Sequence, residues 1–305
     1  MIIPIQKKID EIMSNTDSKM GVSTGIAALD SAILGLRPQH LIVVAGFSGI
    51  GKSALMTDLG LAVAQHCPVA LLSIEMGVNL TTERMVYNAA GLNYHRGMHG
   101  DNSSGDLLAL DNARLHIKTL KDIYIDESSD TMYPSWYLER ESPENSIENK
   151  VKEYFDAGCK VIVIDYLQII NYGFKTESET LRIKAITNKL HKLSIQYDMA
   201  VVALAQLKKE VGDRLAKKQD PTPSLSDIRD SGFIINDADV ILLLHRPEYF
   251  EKKNEIDLFE NHIEDAQIII GKQRSGPVGS IDVAFHSYSM SFKGVGSDSD
   301  VGVPF

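Results

Sequence analysis

Residues Gly46 to Ser53 read GFSGIGKS, directly after the apolar run Leu41 to Ala45 and directly before the helical pattern Ala54 to Ala64. The spacing fits G-x-x-x-x-G-K-[ST], and a strand leading in with a helix leading out is the context in which that spacing makes a phosphate cradle. Phosphate needs closely spaced backbone N–H groups, a helix N-terminus and a mobile cation. The candidate cradle is therefore Gly46, Ser48, Gly49, Gly51, Lys52, Ser53 and Ala54, with Lys52 as the cation and the Ser53 hydroxyl as a ligand for Mg²⁺. So specific a loop requires a sheet to carry it.

The rest of the chain supplies that sheet. Short apolar runs alternate with longer helical patterns: Ala54 to Ala64, Val69 to Ile74, Leu80 to Ala90, Ile123 to Ile125, Ile147 to Asp156, Val161 to Ile164, Leu181 to Ile195, Ala200 to Leu204 and Val240 to Leu244. This repetition predicts an α/β fold, a mostly parallel central sheet with helices on both faces. Ala266 to Ile270, Ile281 to Phe285 and Met290 to Phe292 follow with only turns between them, which predicts an antiparallel extension at the sheet edge.

Two further strand ends carry acids. Val161 to Ile164 is uniformly apolar and ends in Asp165, placing a carboxylate where a metal bound to phosphate needs one. Leu71 to Ile74 ends in Glu75, a candidate general base beside the terminal phosphate, although strand ends also carry acids in ordinary loops.

Composition bounds the partners. The 305 residues hold 31 Lys plus Arg against 41 Asp plus Glu, a net charge of −10, which argues against coating nucleic acid with the whole surface. Residues 208 to 218 depart from that average: Lys208, Lys209, Arg214, Lys217 and Lys218 against Glu210 and Asp213 leave +3. Such a run is either a solvated face or a set of phosphate contacts. Two cysteines, Cys67 and Cys159, make neither a disulfide framework nor a zinc site, and no apolar run approaches the roughly 20 residues that span a bilayer. A cytoplasmic protein with no membrane partner is expected.

The ends of the chain read differently from its middle. Residues 4 to 13 predict a short amphipathic helix with Ile5, Ile9, Ile12 and Met13 on one stripe, followed by a polar linker, so the stripe packs on its own domain or on a neighbouring subunit. Residues 297 to 305 form an acidic tail ending in Pro304 and Phe305, either a solubilising end or a hook whose terminal ring and carboxylate fill an apolar pocket rimmed by Lys or Arg on a partner. The expected organisation is a linker helix and linker over 1–20, an α/β domain carrying the phosphate loop over 21–294 and a flexible tail over 295–305.

Taken together, Gly25 to Asp30, the Gly46 to Ser53 loop, Ser73 to Met76, Asp165 to Gln168, Ala205 to Leu207, Ser226 to Gly232, Asp237 to Asp239 and Gly271 to Gly279 closely resemble the C-terminal motor domain of the DnaB-type replicative helicases. The likeness runs over roughly residues 21 to 294 with the motifs in the family's order. It implies a RecA-like ATPase that forms a hexameric ring, uses ATP and Mg²⁺, and moves 5′ to 3′ along single-stranded DNA while unwinding duplex. By position it implies Gln206 as sensor of the γ-phosphate, and Lys272 and Arg274 as cations reaching the neighbouring subunit's nucleotide.

Elementary chemistry agrees with both. Gln206 follows the apolar strand Ala200 to Leu204, and a neutral amide reports a phosphate without adding charge. Lys272 and Arg274 alternate at spacing two, which turns both to one face of a strand end, and a guanidinium suits a phosphate in trans. For DNA the candidates are Lys208 and Lys209 in the loop to Pro223, Arg229, Asp230 and Gly232 just beyond, and Lys175 in a loop it shares with Glu177 and Glu179. Arg246 and Tyr249 either reach the adenine or ribose or pack internally.

The resemblance also has a gap. DnaB-type proteins carry a globular N-terminal domain that engages primase, and only about 20 residues precede the motor here, so primase coupling through such a domain is not expected. The pattern points to a compact replicative helicase, phage- or plasmid-borne. Primase, a helicase loader, a single-stranded DNA-binding protein or a polymerase remain candidate partners. A RecA- or KaiC-like ATPase and an ATP-binding adaptor without unwinding activity are the alternative readings.

Overall fold

A computed structural model describes Ile5 and residues 20–127, 147–170, 179–214, 217–229, 231–251 and 260–295. The stripe residues Ile9, Ile12 and Met13, the loop with Lys175, Asp230 and the tail 297–305 lie outside the described residues. Ile5 itself is 67% exposed in the single chain.

The described elements are α1 (Ala27–Ile33), β1 (Leu41–Gly46), α2 (Lys52–Ala64), β2 (Val69–Ser73), α3 (Gly77–Ala90), α4 (Tyr94–Met98), α5 (Ser104–Ile117), β3 (Ile123–Asp126), α6 (Ile147–Asp156), β4 (Val161–Asp165), α7 (Glu179–Gln196), β5 (Ala200–Gln206), α8 (Ser231–Asp237), β6 (Val240–His245), α9 (Pro247–Glu251), β7 (Ile263–Gln273), β8 (Gly279–His286) and β9 (Ser291–Gly294). One sheet runs in the order β3-β2-β4-β5-β1-β6-β7-β8-β9. Strands β1 to β6 pair in parallel, and β7 to β9 add the antiparallel edge.

Uniformly apolar strands are what a sheet covered on both faces demands. In β1, Ile42 and Val44 enter one core with α1, α2 and the β7–β9 edge, while Leu41, Val43 and Ala45 enter the other with α6, α7 and α8. Most strand ranges agree with the sequence to within a residue or two. β7 extends further than its apolar run because Glu264 is buried at 1% exposure, held there by Arg246. Met290 falls outside β9: at φ 52° it occupies a left-handed turn position, and the strand starts at Ser291.

Helices α4 and α5 have no counterpart in the sequence reading. The reason is visible in their faces: α5 buries only Leu110 and Ala113, while Leu107, Leu108 and Leu115 are exposed. Its start is fixed instead by the Ser103–Asp106 capping box.

Candidate active site at the carboxyl ends of the parallel strands

The four parallel strands β1, β2, β4 and β5 end side by side, and each delivers one of the predicted groups. From β1 the chain turns through Gly46–Gly51 into α2, with Gly49 at φ 80° and Gly51, the residue before the helix, at φ 111°. Side chains are excluded there twice over, because a Cβ on Gly51 would lie 3.0 Å from Phe292 and 3.1 Å from Phe285. The loop's amides and the start of the 13-residue helix α2 thus face an open cleft of about 430 Å³.

Lys52 opens α2 and donates to the carbonyls of Gly46 and Phe47, each at 3.1 Å. Burial holds its ammonium below the ordinary lysine value, while Asp165 and Glu75 pull it back up. Those carbonyl bonds are the ones a phosphate oxygen can replace. Asp165, fully buried at the end of β4, accepts the Ser53 hydroxyl at 2.5 Å through Oδ2, and its Oδ1 has no partner. Burial pushes this carboxyl up to about 6; the Ser53 hydrogen bond opposes the shift and the Glu75 charge adds to it. An orphaned buried carboxylate oxygen beside a serine hydroxyl fits a divalent cation that takes its other ligands from phosphate and water. Among the described residues no cluster of three His, Cys, Asp or Glu forms a self-sufficient metal cage.

Glu75 follows β2 and lines the same cleft from an exposed position. The turn that presents it is fastened by Ser73 Oγ to Thr81 Oγ1 at 2.6 Å and Thr81 Oγ1 to the Gly77 carbonyl at 2.7 Å. Gln206, the last residue of β5, also lines the cleft. The hydroxyl of Tyr166 is raised by burial, chiefly, and a hydrogen bond with the Gln206 side chain acts against that shift.

Arg84 joins this group and was not foreseen. It lines the cleft from α3, with Nη1 2.9 Å from the Met76 sulfur and a buried Nε that has no partner. Its signal was a charged residue on the stripe Gly77, Thr81, Arg84, Asn88, whose Thr81 and Asn88 are buried.

Arg246 and Tyr249 line the same cleft and brace the loop. Arg246, 4% exposed, makes a two-pronged pair with Glu264 at 3.1 and 2.6 Å, donates to the Ile50 carbonyl at 3.1 Å and lies 3.8 Å from the Phe285 ring centroid. Tyr249 donates to the Ser48 carbonyl at 2.9 Å.

Lys272 and Arg274 lie at the other end of the sheet, since β7 is antiparallel and Lys272 pairs with Ile241 at the start of β6. As their spacing predicts, they converge on one target, the carboxyl end of α8. Lys272 Nζ donates to the carbonyls of Ile235 and, at 2.6 Å, Ala238, and Arg274 Nη2 donates to that of Asn236 at 2.9 Å. Arg274 Nη1 also pairs with Asp239 at 3.0 Å, and its side chain remains 45% exposed. Neither cation reaches this chain's own cleft.

Of the described DNA candidates, Lys208 and Lys209 are exposed just beyond Gln206, although Lys208 Nζ donates to the Ser226 carbonyl at 2.6 Å. Arg229 is exposed with its backbone N–H on the Gln206 carbonyl at 3.3 Å, and Gly232 is exposed in the first turn of α8. Lys208 and Arg229 thus adjoin the end of β5. Arg214 is instead committed to the buried Asp227.

A glycine-bearing strand-to-helix loop at the carboxyl edge of a parallel sheet covered on both faces defines a nucleotide-binding P-loop protein of the RecA-like class. The chain belongs to the DnaB-like helicase C terminal domain family, whose model matches residues 21–294. It is 31% identical over 291 residues to the replicative DNA helicase DnaB of Leifsonia xyli, covering 93% of this chain and 59% of that protein. The chain spans little more than half the length of the curated relatives it matches.

Two solved structures share the fold. One is a DnaB-like replicative helicase studied with its primase interactions, at TM-score 0.78 and 28% identity, covering 96% of this chain and 66% of the other. The second is an ATPase domain, at TM-score 0.78 and 27% identity, covering 96% of this chain and 98% of the other. No described helix is long and apolar enough to cross a membrane.

Proposed function

We propose that this chain is the ATP-driven motor of a replicative DNA helicase, a ring of six copies that encloses single-stranded DNA and moves along it 5′ to 3′. The observation that carries the reading is the placement of two half-sites at opposite ends of one sheet. Lys52, Ser53, Glu75, Asp165 and Gln206 meet at the carboxyl end, and Lys272 and Arg274 sit at the amino end. Head-to-tail association brings the cations of one copy to the cleft of the next, and a heterologous contact of that kind makes a ring when its rotation closes and a filament when it does not.

In each cleft the loop amides and Lys52 bind and orient the phosphates, and Ser53 and Asp165 hold Mg²⁺. When bound, the metal neutralises charge that develops on the phosphates. Glu75 takes the proton of the attacking water as general base. Gln206 contacts the γ-phosphate and passes its presence to the segment carrying Lys208, Lys209, Arg229 and Gly232, which hold the DNA backbone along with Lys175, Asp230 contributing through its main chain. Arg274, with Lys272, acts on the neighbouring copy's γ-phosphate.

The division into a linker helix over 1–20, a motor over 21–294 and a tail over 295–305 belongs to the same proposal, with the Ile5 stripe seated on the adjacent subunit. Primase is the partner class favoured by the primase-linked relative. ATP hydrolysis with and without single-stranded DNA, strand displacement on a forked duplex and sizing with a non-hydrolysable nucleotide test the reading together. DNA-stimulated hydrolysis, 5′-tail-dependent unwinding and a hexamer are expected. Hydrolysis without unwinding would favour a RecA- or KaiC-like ATPase, and nucleotide binding without hydrolysis an assembly adaptor.

A further inference from the structure

The end of β5 presents a hydrogen-bonding problem that one side chain solves. Strands β4 and β5 pair from Val161 opposite Ala200 to Ile164 opposite Ala203. There the pairing stops; β4 runs one residue further to Asp165 and the chain leaves through Tyr166 into the 3₁₀ turn Leu167–Ile169, while β5 runs on to Gln206 beside β1. The backbone of Gln206 on the β4 side is left without a strand neighbour, and buried backbone groups need partners. Gln168 supplies them from within that turn. Its Oε1 accepts the Gln206 N–H at 3.1 Å, and its Nε2 donates to the Gln206 carbonyl at 3.4 Å.

Everything around this bridge bears on the nucleotide or on the DNA segment. Leu207 N–H donates to the carbonyl of Gly46, the first residue of the phosphate loop, at 3.2 Å. The Gln206 carbonyl that takes Gln168 Nε2 also takes the Arg229 N–H at 3.3 Å. Gln168 is 8% exposed, and its own carbonyl is gripped by Arg182 Nη2 at 2.8 Å.

We infer that Gln168 is a positioning residue that couples the γ-phosphate sensor to the DNA-holding segment: its amide fixes the backbone of Gln206, so that a pull on that residue's side chain is delivered to Arg229 rather than absorbed by a loose strand end. The inference rests on the proposed sensor role of Gln206. Only an amide does this with one side chain, since it offers a donor and an acceptor to one residue's backbone as a neighbouring strand would. Asn is one methylene short, an ionised Glu only accepts, and Met or Leu does neither.

The test measures ATP hydrolysis by the whole chain at saturating and at zero single-stranded DNA, with affinity for a fluorescent non-hydrolysable ATP analogue determined alongside. Gln168→Met, which keeps length and burial, is expected to lower the DNA-stimulated kcat about tenfold, with KM for ATP and analogue affinity within about twofold of the parent. Gln168→Glu keeps the acceptor of the 3.1 Å bond and is expected to fall between parent and Gln168→Met. Should Gln168→Met not fold, Gln168→Glu decides alone: reduced stimulation with intact analogue affinity supports the coupling, and parental stimulation overturns it.

In a Gln206→Ala background, adding Gln168→Met should cost nothing further, because both act through one link. Additive losses, or loss of analogue binding with Gln168→Met alone, would reduce Gln168 to a structural residue. If Gln206→Ala hydrolyses at the parental rate the sensor reading itself falls, taking this inference with it. If Gln206→Ala is impaired while Gln168→Met is not, only the inference falls.

Discussion

Two buried aspartates stand at opposite ends of the sheet, and the chain treats them differently. Asp239, just before β6, is saturated by its own molecule: Oδ2 accepts the Leu41 N–H at 2.8 Å and lies 3.3 Å from His191 Nε2, and Oδ1 pairs with Arg274 at 3.0 Å. Asp165, at the end of β4, has one bond to Ser53 and one oxygen with none. A saturated buried carboxylate is architecture. One left half-satisfied, at a cost of about 1–3 kcal/mol, is being kept for something the chain does not contain.

The histidines repeat the contrast. His191 has Asp239 as its partner, whereas His245, at the cleft end of β6, is 4% exposed with Nδ1 unpartnered.

The chemistry gives the sharpest ways to break this contrast. Glu75→Gln should retain ATP and DNA binding while losing about 10²–10⁴ in turnover, because a general base acts only in the chemical step; Lys52→Ala should abolish nucleotide-dependent unwinding. Near-parental hydrolysis by Glu75→Gln would remove the base from the cleft end.

Arg274→Ala tests the other end and should cost about 10³ in hydrolysis with nucleotide binding kept. Mixing it with Lys52→Ala subunits should restore part of the activity, since some interfaces then receive two intact halves. Mixed rings that form yet stay inactive would place Arg274 in architecture alone.

Stability separates the two aspartates directly. Asp239→Ala strips partners from Arg274 and the Leu41 N–H and should destabilise the nucleotide-free chain by about 2–4 kcal/mol. Asp165→Asn removes a buried charge that has no full set of partners and should stabilise the same state by about 1 kcal/mol. Denaturant midpoints moving in the same direction would erase the distinction.

The smallest effect concerns His245, whose pKa burial lowers below the ordinary histidine value. A depressed histidine contributes stability that is present above the unfolded value of about 6.5 and is lost as pH falls. Between pH 7 and pH 5 the parent should therefore lose more stability than His245→Gln. Parallel pH profiles would mean the buried ring carries no such penalty.

How much of this could be read from the residues divides along the same axis. The cleft was legible because local spacing reports it: a strand, a glycine loop and a helix are contiguous, and Glu75, Asp165 and Gln206 each end an apolar run. The alternation of Lys272 and Arg274 was legible too. Their landing place on the carbonyls of α8 was not, because no spacing relates residues 272 and 274 to 235–239. Arg246 illustrates a second blind spot, since a lone arginine after a strand does not disclose whether it meets a ligand or a Glu264 on another strand. Helix α5 shows a third, for its leucines face outward and the usual periodicity of a buried stripe is missing. Gln168 was visible only as part of a resemblance, and its work depends on where two strands part company.

The order of the strands also sets a timetable. The central strand β1, which carries the phosphate loop, is made early, yet both of its neighbours come late: β5 starts at Ala200 and β6 at Val240, and the Leu41 N–H waits for a carboxylate 198 residues downstream. During synthesis the loop therefore emerges from the ribosome long before anything can hold its shape, with an apolar strand open on both edges in the meantime. Competence to bind nucleotide is among the last properties the nascent chain acquires. Ribosome-stalled chains ending before residue 200 should retain no ATP analogue, and those ending beyond residue 295 with room to clear the exit tunnel should retain it.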